Sequence, residues 1–257
     1  MAHHALVGPG TAREARLGRA VRGSGTAAVG GVVLLLPDGC AESPRRASPL
    51  HRAALAPLAR RLARAGRDDG LAAHVVRYGC RGWNGADERL AVDARWAVAE
   101  VVRRHGDVPV CLVGHGMGGR AALRAAGHAA VASVLALAPW LPEDDVAAEP
   151  EPVRQLVGRQ VMFVHGTNDA AAHPDLSYRL AVRAKKANRD TCRFEVHSDG
   201  HALRQHHGEV LALAEDFVLG SLFGRPHSRP VVDAFAAPPP LGLRMPLAAG
   251  FGRSLRH

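Results

Sequence analysis

A glycine-rich turn is the first place where this sequence offers chemistry. The stretch LVGHGMGG, Leu112 to Gly119, follows an apolar run and precedes a segment with helical spacing. Its glycines match the G-x-G-x-x-G pattern that holds a dinucleotide pyrophosphate at a helix N-terminus. That function also needs an acidic residue at the end of the next strand, about 20 residues further on. The next strand ends in LALAPW and no acid comes before Glu143, so a dinucleotide site is not favoured.

The same turn also matches G-x-S-x-G, with Gly116 at the position of the nucleophilic serine. In that motif the central residue occupies a strained bend between a strand and a helix, and small neighbours let the two approach each other. Gly114 and Gly118 supply the small neighbours, and His115 is expected to pack within the turn. Glycine tolerates the bend because it has no Cβ. The turn can therefore keep its shape, but it has no side chain that could attack a carbonyl carbon.

Two residues downstream could complete such a site. In chains that carry this motif, an acid follows a later strand and a histidine follows the next one. HGTND places Asp169 just after a strand, and DGH places His201 just after the following strand. The carboxyl ends of parallel strands share one edge of a sheet, where the ligand sites of α/β proteins gather. We therefore expect Asp169 and His201 to be the acid and the base of a triad whose nucleophile is missing.

The candidate oxyanion donors are backbone N–H groups. The first long apolar strand ends in LLLPDGC, where a donor loop is expected, so one donor comes from Gly39 or Cys40 and the other from Met117. The thiol of Cys40 is also a candidate substitute nucleophile. Trp83 and Trp140 follow strand ends at the same edge of the sheet. They either line an apolar pocket or cover the sheet.

The elements that must position these residues alternate along the chain. Continuous apolar runs are typical of strands buried on both faces, and amphipathic segments lie between them. This alternation predicts right-handed βαβ crossovers and a three-layer α/β sandwich with a mostly parallel sheet. Pro57 is expected to kink or divide the first long helix. Strands are predicted at 29–39, 71–79, 108–114, 131–139, 160–166 and 191–197, and helices at 48–66, 87–106, 118–127, 173–188 and 202–224.

The positive charge is concentrated at the two ends of the sequence. The formal net charge is +9, but residues 1–28 contain four arginines and one glutamate, and residues 225–257 contain five arginines and one aspartate. Tails of this kind are usually solvated, so no nucleic-acid partner is expected. The sequence predicts a basic segment over 1–28, one α/β domain over 29–224 and a Pro- and Arg-rich, mostly irregular tail over 225–257.

Cysteine and histidine spacing bears on cofactors. The four cysteines form no C-x-x-C pair and no H-E-x-x-H spacing occurs, so neither a metal nor another cofactor is expected. The longest apolar run, 29–36, is too short to span a bilayer, and no secretory signal is evident. We expect a cytoplasmic protein with a small-molecule ligand or substrate and no membrane partner. The sequence does not indicate an oligomeric state.

In the order and spacing of LVGHGMGG, HGTND and DGH, the chain resembles small bacterial esterases and dienelactone-hydrolase-like proteins of the α/β-hydrolase superfamily. The resemblance covers about residues 29–224. It implies an α/β-hydrolase fold with a short or absent lid, for which 140–158 is the candidate segment. It also assigns Gly116 to the nucleophile position, Asp169 to the triad acid and His201 to the triad base.

The resemblance implies a protein that acts on, or binds, a small ester or carbonyl compound. With glycine at position 116, the acyl-enzyme route through serine is disabled. The three residues of a triad act as a unit, so removing one of them removes most of the rate enhancement. A pseudoenzyme is therefore expected. Two alternatives remain open. One is a working hydrolase in which His201 activates water or Cys40 attacks, and the other is a non-catalytic ligand-binding module.

Overall fold

The computed structural model describes residues 14–24, 28–143 and 150–252, which form alternating strands and helices. The strands are β1 (Arg16–Leu17), β2 (Val21–Arg22), β3 (Gly31–Leu36), β4 (Leu71–Arg77), β5 (Val110–His115), β6 (Val131–Leu137), β7 (Gln160–Gly166), β8 (Thr191–Val196) and β9 (Met245–Pro246). The helices are α1 (Pro49–Ala54), α2 (Ala56–Ala65), α3 (Arg89–His105), α4 (Met117–Ala125), α5 (Pro174–Ala187), α6 (His207–Phe223) and α7 (Arg229–Ala236).

A single sheet lies between two helical layers. Its strand order is β1-β4-β3-β5-β6-β7-β8-β9, and β2 also pairs with β4. The strands from β3 to β8 run parallel, while β1 and β2 are antiparallel to β4. Alternate residues of β3 enter the two cores: Val32 and Leu34 pack with α3, α4 and α5, and Val33 and Leu35 pack with α2, α6 and α7. The predicted three-layer sandwich with a mostly parallel sheet is confirmed.

The helix predicted over 48–66 is divided at Leu55. The hydroxyl of Ser48 accepts the His51 N–H at 3.4 Å and caps α1. Pro57 lies in the first turn of α2, where a missing N–H costs no helical hydrogen bond. The second helix therefore begins at Ala56 with Pro57 in its first turn, and α1 ends at Ala54, with Leu55 between the two helices.

The last long helix begins later than the predicted 202–224. The Asp199 carboxylate accepts the N–H groups of Arg204 and His206, each at 3.0 Å. These bonds hold residues 200–206 as a loop, and α6 begins only at His207. The loop fixed in this way carries His201.

The C-terminal segment corrects the prediction of a mostly irregular tail over 225–257. Its Pro230 lies in the first turn of α7, and Val231 and Ala234 point from this helix into the core. Further on, β9 adds a parallel edge strand beside β8. The basic segment 1–28 also contributes structure, because β1 and β2 cover the outer edge of β4. Short apolar stretches between the arginines therefore join the sheet and its helical layer.

Part of the predicted lid is described. Residues 144–149 of the candidate segment 140–158 lie outside the described residues. After them, Glu151 is buried and forms ion pairs with Arg120 and Arg124 of α4. This part of the segment therefore packs on the helical layer. Within the three described ranges, no helix combines the length and the apolar character that crossing a membrane requires.

Candidate active site

Strand β5 and helix α4 meet at Gly116 in a sharp turn. Gly116 has φ 55° and ψ −122°, a backbone conformation that residues with a Cβ rarely adopt. Its N–H donates to the Leu137 carbonyl oxygen of β6 at 3.0 Å. A Cβ on Gly118 would lie 2.1 Å from the Leu36 carbonyl oxygen, so β3 approaches the turn closely only because residue 118 is glycine. The turn therefore has the tight strand-to-helix geometry that the sequence predicts.

The expected acid and base lie together beside this turn. His201 Nδ1 donates to Asp169 Oδ2 at 2.8 Å. The other oxygen of Asp169, Oδ1, accepts the N–H groups of Ala171 and Ala172 at 2.8 and 2.9 Å. His165 Nε2 adds a hydrogen bond to Oδ2 at 3.1 Å. These bonds fix Asp169, and Asp169 in turn fixes the ring orientation of His201.

A second carboxylate, that of Asp38, lies where a side chain at position 116 would point. A Cβ built on Gly116 would lie 2.1 Å from Asp38 Oδ1 and 2.4 Å from its Cγ. Asp38 Oδ1 accepts the N–H groups of Gly39 and Met117 at 2.7 and 2.8 Å. Its other oxygen, Oδ2, lies 3.5 Å from His201 Nε2. The carboxylate therefore fills the space that a side chain at position 116 would need, and it is bound to two backbone donors.

The sequence motifs do not identify Asp38, which lies in the segment LLLPDGC. They assign to that segment only backbone N–H donors and the Cys40 thiol. The signal that could have identified Asp38 is the topology. Strands β3 and β5 are parallel neighbours, so the residues that follow them lie at one edge of the sheet. An acidic side chain just after β3 can therefore enter the space that a glycine just after β5 leaves open.

The site holds two ionised carboxylates and a protonated imidazole at neutral pH. Burial disfavours charge on His201, but Asp169 and Asp38 outweigh it and raise the His201 pKa to about 9. Burial also opposes ionisation of both carboxyls. Hydrogen bonds from His201 and from backbone N–H groups nevertheless hold the pKa of Asp38 below its usual value and that of Asp169 well below it. His201 is therefore a proton donor near pH 7, and a poor base.

The two predicted sources of an oxyanion donor in the β3 loop differ in position. The N–H of Gly39 points at the site and donates to Asp38, as does that of Met117. The N–H of Cys40 instead donates to the Arg81 carbonyl oxygen at 3.0 Å. The Cys40 Sγ lies 3.6 Å from the Glu42 carbonyl oxygen and 3.7 Å from that of Arg81, and either can accept its single S–H. The N–H of Cys40 is therefore not available as an oxyanion donor, and its thiol lies against carbonyl oxygens of the loops.

The rings of the two tryptophans lie around an arginine of α4. The Arg120 guanidinium lies 4.1 Å from the Trp83 ring centroid and 5.8 Å from that of Trp140. Trp83 is buried, and neither ring contributes to the lining of the cleft that contains His201. Both rings have Arg120 as a cation–π partner, and a role for them in the wall of this cleft is not supported.

An open cleft of about 640 Å³ leads to Asp38 and His201. His115 reaches the same cleft, and its Nε2 donates to the His201 carbonyl oxygen at 2.8 Å. Burial is the main reason that the pKa of His115 lies below its usual value. The cleft wall is mostly aliphatic, with contributions from α1, α2 and α6. The wall includes Ala54, Leu55, Leu58, Leu137, Leu203, Val210, Leu211 and Ala214, and polar side chains come from His51, Arg204 and His207.

Solved structures that share this fold include esterases and an α/β serine hydrolase. Esterase Pf2001 of Pyrococcus furiosus is 11% identical, with a TM-score of 0.56 over 76% of this chain and 82% of that chain. XC6422 of Xanthomonas campestris, an α/β serine hydrolase without a lid, is 16% identical, with a TM-score of 0.57 over 83% and 97%. Est1E of Butyrivibrio proteoclasticus is 14% identical, with a TM-score of 0.55 over 80% and 93%.

At these identities the likeness establishes the fold and nothing finer. The chain has an α/β-hydrolase fold, as the motifs predict, and its structural neighbours include esterases. Neither a protein-family model nor a curated protein sequence matches the chain. What the site does must therefore be argued from its own residues.

Proposed function

We propose that this chain is a serine-hydrolase-like protein that binds, or acts on, a small ester or carbonyl compound without an acyl-serine intermediate. The observation that carries this proposal is the position of Asp38. Its carboxylate takes both backbone donors of the turn and occupies the space of a nucleophilic side chain. An ester carbonyl cannot use these donors while Asp38 holds them. The serine route thus lacks its nucleophile and its oxyanion site together.

The cleft supports binding of a compound with an apolar body and an acceptor oxygen. Its wall is aliphatic, while His201 carries a proton that can be donated at the inner end. The Nε2 to Oδ2 distance of 3.5 Å is longer than a good N–H···O bond, so this N–H retains the capacity to bond a ligand oxygen. A carbonyl oxygen placed there would also lie within an aliphatic enclosure that strengthens the bond.

The geometry weakens the two hydrolytic alternatives to different degrees. The Cys40 thiol bonds carbonyl oxygens on its own side of the loop, so we do not propose it as a nucleophile. Activation of water by His201 requires its neutral form, and the raised pKa makes that form scarce near pH 7. Water activation therefore stays the second candidate, and it would be most effective under alkaline conditions.

The first experiment asks whether any ester turnover exists. We expect no fluorophosphonate labelling of the protein and no hydrolysis of p-nitrophenyl acetate or butyrate above the uncatalysed rate at pH 7. Any turnover that is found should be compared in the His201→Ala and Cys40→Ala variants. Covalent labelling at the β5–α4 turn would refute the proposal. Turnover that His201→Ala abolishes would favour water activation.

The second experiment measures binding in the cleft. Est1E has been solved with ferulic acid bound, which makes this acid and its methyl ester sensible probes beside short-chain esters and ketones. We expect the wild type to bind at least one of these compounds in calorimetry, and Leu211→Trp to abolish binding by filling the cleft. Leu50→Trp is the matched control, because Leu50 is 78% exposed on α1 and does not line the cleft. Equal affinity in all three proteins would place the ligand elsewhere and overturn the proposal.

A further inference from the structure

We propose that Asp38, His115 and His201 form a binding site for a divalent transition-metal ion, with Zn²⁺ as the best fit. One potential ligand atom from each of the three residues lies within 4.8 Å of those of the other two. Two imidazoles and one carboxylate make up a ligand set that Zn²⁺ uses in catalytic sites. The proposal concerns this ligand set alone and does not require that the cleft bind an ester.

The spacing of the nearest ligand pair fits a tetrahedral ion. Ligand atoms about 2.0–2.1 Å from a tetrahedral Zn²⁺ lie about 3.4 Å from each other. His201 Nε2 and Asp38 Oδ2 are 3.5 Å apart, which is too long for a good hydrogen bond but close to this tetrahedral edge. Asp38 Oδ1 is already held by Gly39 and Met117, so Oδ2 alone faces the site. Asp38 would therefore bind the ion through one oxygen.

The groups behind the three side chains are those that commonly orient metal ligands. His201 donates its Nδ1–H to the Asp169 carboxylate at 2.8 Å, which directs the Nε2 lone pair of its neutral form toward Asp38. His115 donates its Nε2–H to the His201 carbonyl oxygen at 2.8 Å and so keeps a lone pair on its other nitrogen. Asp38 is oriented by two backbone N–H groups. Each proposed ligand thus has a protein partner that fixes its orientation.

The cleft leaves room for an exchangeable ligand. Asp38, His115 and His201 all contribute to its lining, so the fourth position of a tetrahedral ion would face the cleft. A Zn²⁺ ion with three protein ligands and an open position lowers the pKa of bound water and polarises carbonyl oxygens. Such an ion would take the place of the proton on His201 Nε2.

A sequence motif could not have identified this set. The ligands come from the loop after β3, the end of β5 and the loop after β8, and no two lie at a helical i, i+4 spacing. Only the parallel sheet brings these strand ends to one edge. The expectation that the chain lacks a metal rested on the absence of such spacing, and the structure supplies the set in another way.

The test titrates Zn²⁺ alone into the chelator-treated, full-length protein at pH 7.5. We expect one equivalent to bind with micromolar or tighter affinity in calorimetry. Affinity should fall at least about tenfold in Asp38→Ala, His115→Gln and His201→Gln, since losing a ligand costs no less than losing its outer-shell partner. Co²⁺ should give a visible absorption spectrum in the wild type that the same three variants lose.

Two further variants separate this site from other histidines and from misfolding. His207→Gln is the matched control, because His207 lines the same cleft but lies outside the ligand set, and its affinity should stay within about twofold of wild type. Asp169→Asn keeps all three ligands and should weaken Zn²⁺ binding about 10–100-fold. Far-UV circular dichroism establishes that each variant is folded before its affinity is compared.

Three results would overturn the metal site. The first is the absence of Zn²⁺ binding up to millimolar concentration. The second is a wild-type Zn²⁺ affinity in the folded ligand variants. The third is a fall in Zn²⁺ affinity in His207→Gln that the three ligand variants do not show. None of them bears on the proposed small-molecule function when ester and ferulate binding are measured in the same chelator-treated protein. Conversely, a failed ligand screen leaves the Zn²⁺ titration intact.

Discussion

Introducing a serine at position 116 is the sharpest perturbation of this site. In a site that had lost only its nucleophile, Gly116→Ser would restore ester turnover. The structure leads to the opposite expectation. The new Cβ would overlap Asp38 Oδ1 at 2.1 Å, and the oxyanion donors Gly39 and Met117 would remain occupied. We therefore expect Gly116→Ser alone to be destabilised and to hydrolyse no ester.

The magnitude follows from two local costs. A residue with a Cβ at φ 55° and ψ −122° is strained by about 1–3 kcal/mol. Displacing the Asp38 carboxylate breaks charge-assisted hydrogen bonds that are worth about 1.5–3 kcal/mol each. If one such bond is lost, the free energy of unfolding should fall by about 2.5–6 kcal/mol. That is a large part of the roughly 5–15 kcal/mol that stabilises a typical domain.

Removing Asp38 at the same time should reverse the outcome. In Gly116→Ser/Asp38→Ala the overlap disappears, two N–H donors become free, and His201 loses the carboxylate that faces its Nε2. We expect p-nitrophenyl acetate turnover about 10²–10³-fold above Gly116→Ser alone, which is the scale of an oxyanion donor's contribution. Urea unfolding measures the stability of each variant, and fluorophosphonate labelling counts the active hydroxyls.

The controls decide between the possible failures. Adding His201→Ala to the double variant should abolish the gained turnover if the new hydroxyl depends on the histidine. Turnover in Gly116→Ser alone that matches the double variant would mean that Asp38 does not obstruct the turn. A folded double variant without turnover or labelling would mean that Asp169 and His201 are not positioned to activate a nucleophile. Either result would refute the reasoning.

Three further predictions address other parts of the molecule. In metal-free protein, NMR should show His201 titrating near pH 9, and Asp169→Asn should lower that midpoint. Because the folded-state pKa of His201 lies above its unfolded value of 6.5, the stabilisation from this residue should be complete below pH 6.5 and lost as the pH rises through about 9. A midpoint at 6.5 would contradict the ion-pair geometry. Glu151→Gln should lower the free energy of unfolding by about 3 kcal/mol in urea titrations, because it leaves the buried guanidinium of Arg120 without its counter-charge. A change within experimental error would show that the pair is not buried in solution. Val231→Ala should cost about 1–3 kcal/mol because α7 is packed in the core, whereas an irregular tail would tolerate it without effect.

The sequence predicts the central elements well because their patterns leave few alternatives. Apolar runs such as 160–166 are too short for buried helices and are bounded by loops, and β7 occupies the same residues. Errors arise where side chains compete for backbone groups. Asp199 draws two N–H groups into the loop before α6 and delays the start of that helix. The prediction of an irregular tail over 225–257 is wrong because its prolines and arginines obscure the short apolar pattern of Val231 and Leu243, which are fully buried.

The candidate site was predictable only as far as motifs reach. Asp169 and His201 were identified because each follows a strand in the order that the G-x-S-x-G motif requires. Asp38 was not, because its partners Met117 and His201 lie on other strand ends, and the sequence does not state which strands are neighbours. Leu36 and Gly114 pair across β3 and β5. This register places the Asp38 side chain, just after β3, against the backbone of the turn just after β5. Register is a property of the whole sheet, and it decides which side chain fills an empty position.

Asp38 and Gly116 depend on each other for their conformation and position. A bare loss of serine would leave two N–H donors and His201 Nε2 facing an open space, solvated by water. Instead a single carboxylate contacts all three groups. That carboxylate fits only because residue 116 lacks a Cβ, and the positive φ of Gly116 is unstrained only for the same reason. The glycine and the aspartate are therefore one structural unit. Their substitutions should be strongly non-additive in stability, whereas independent losses would add.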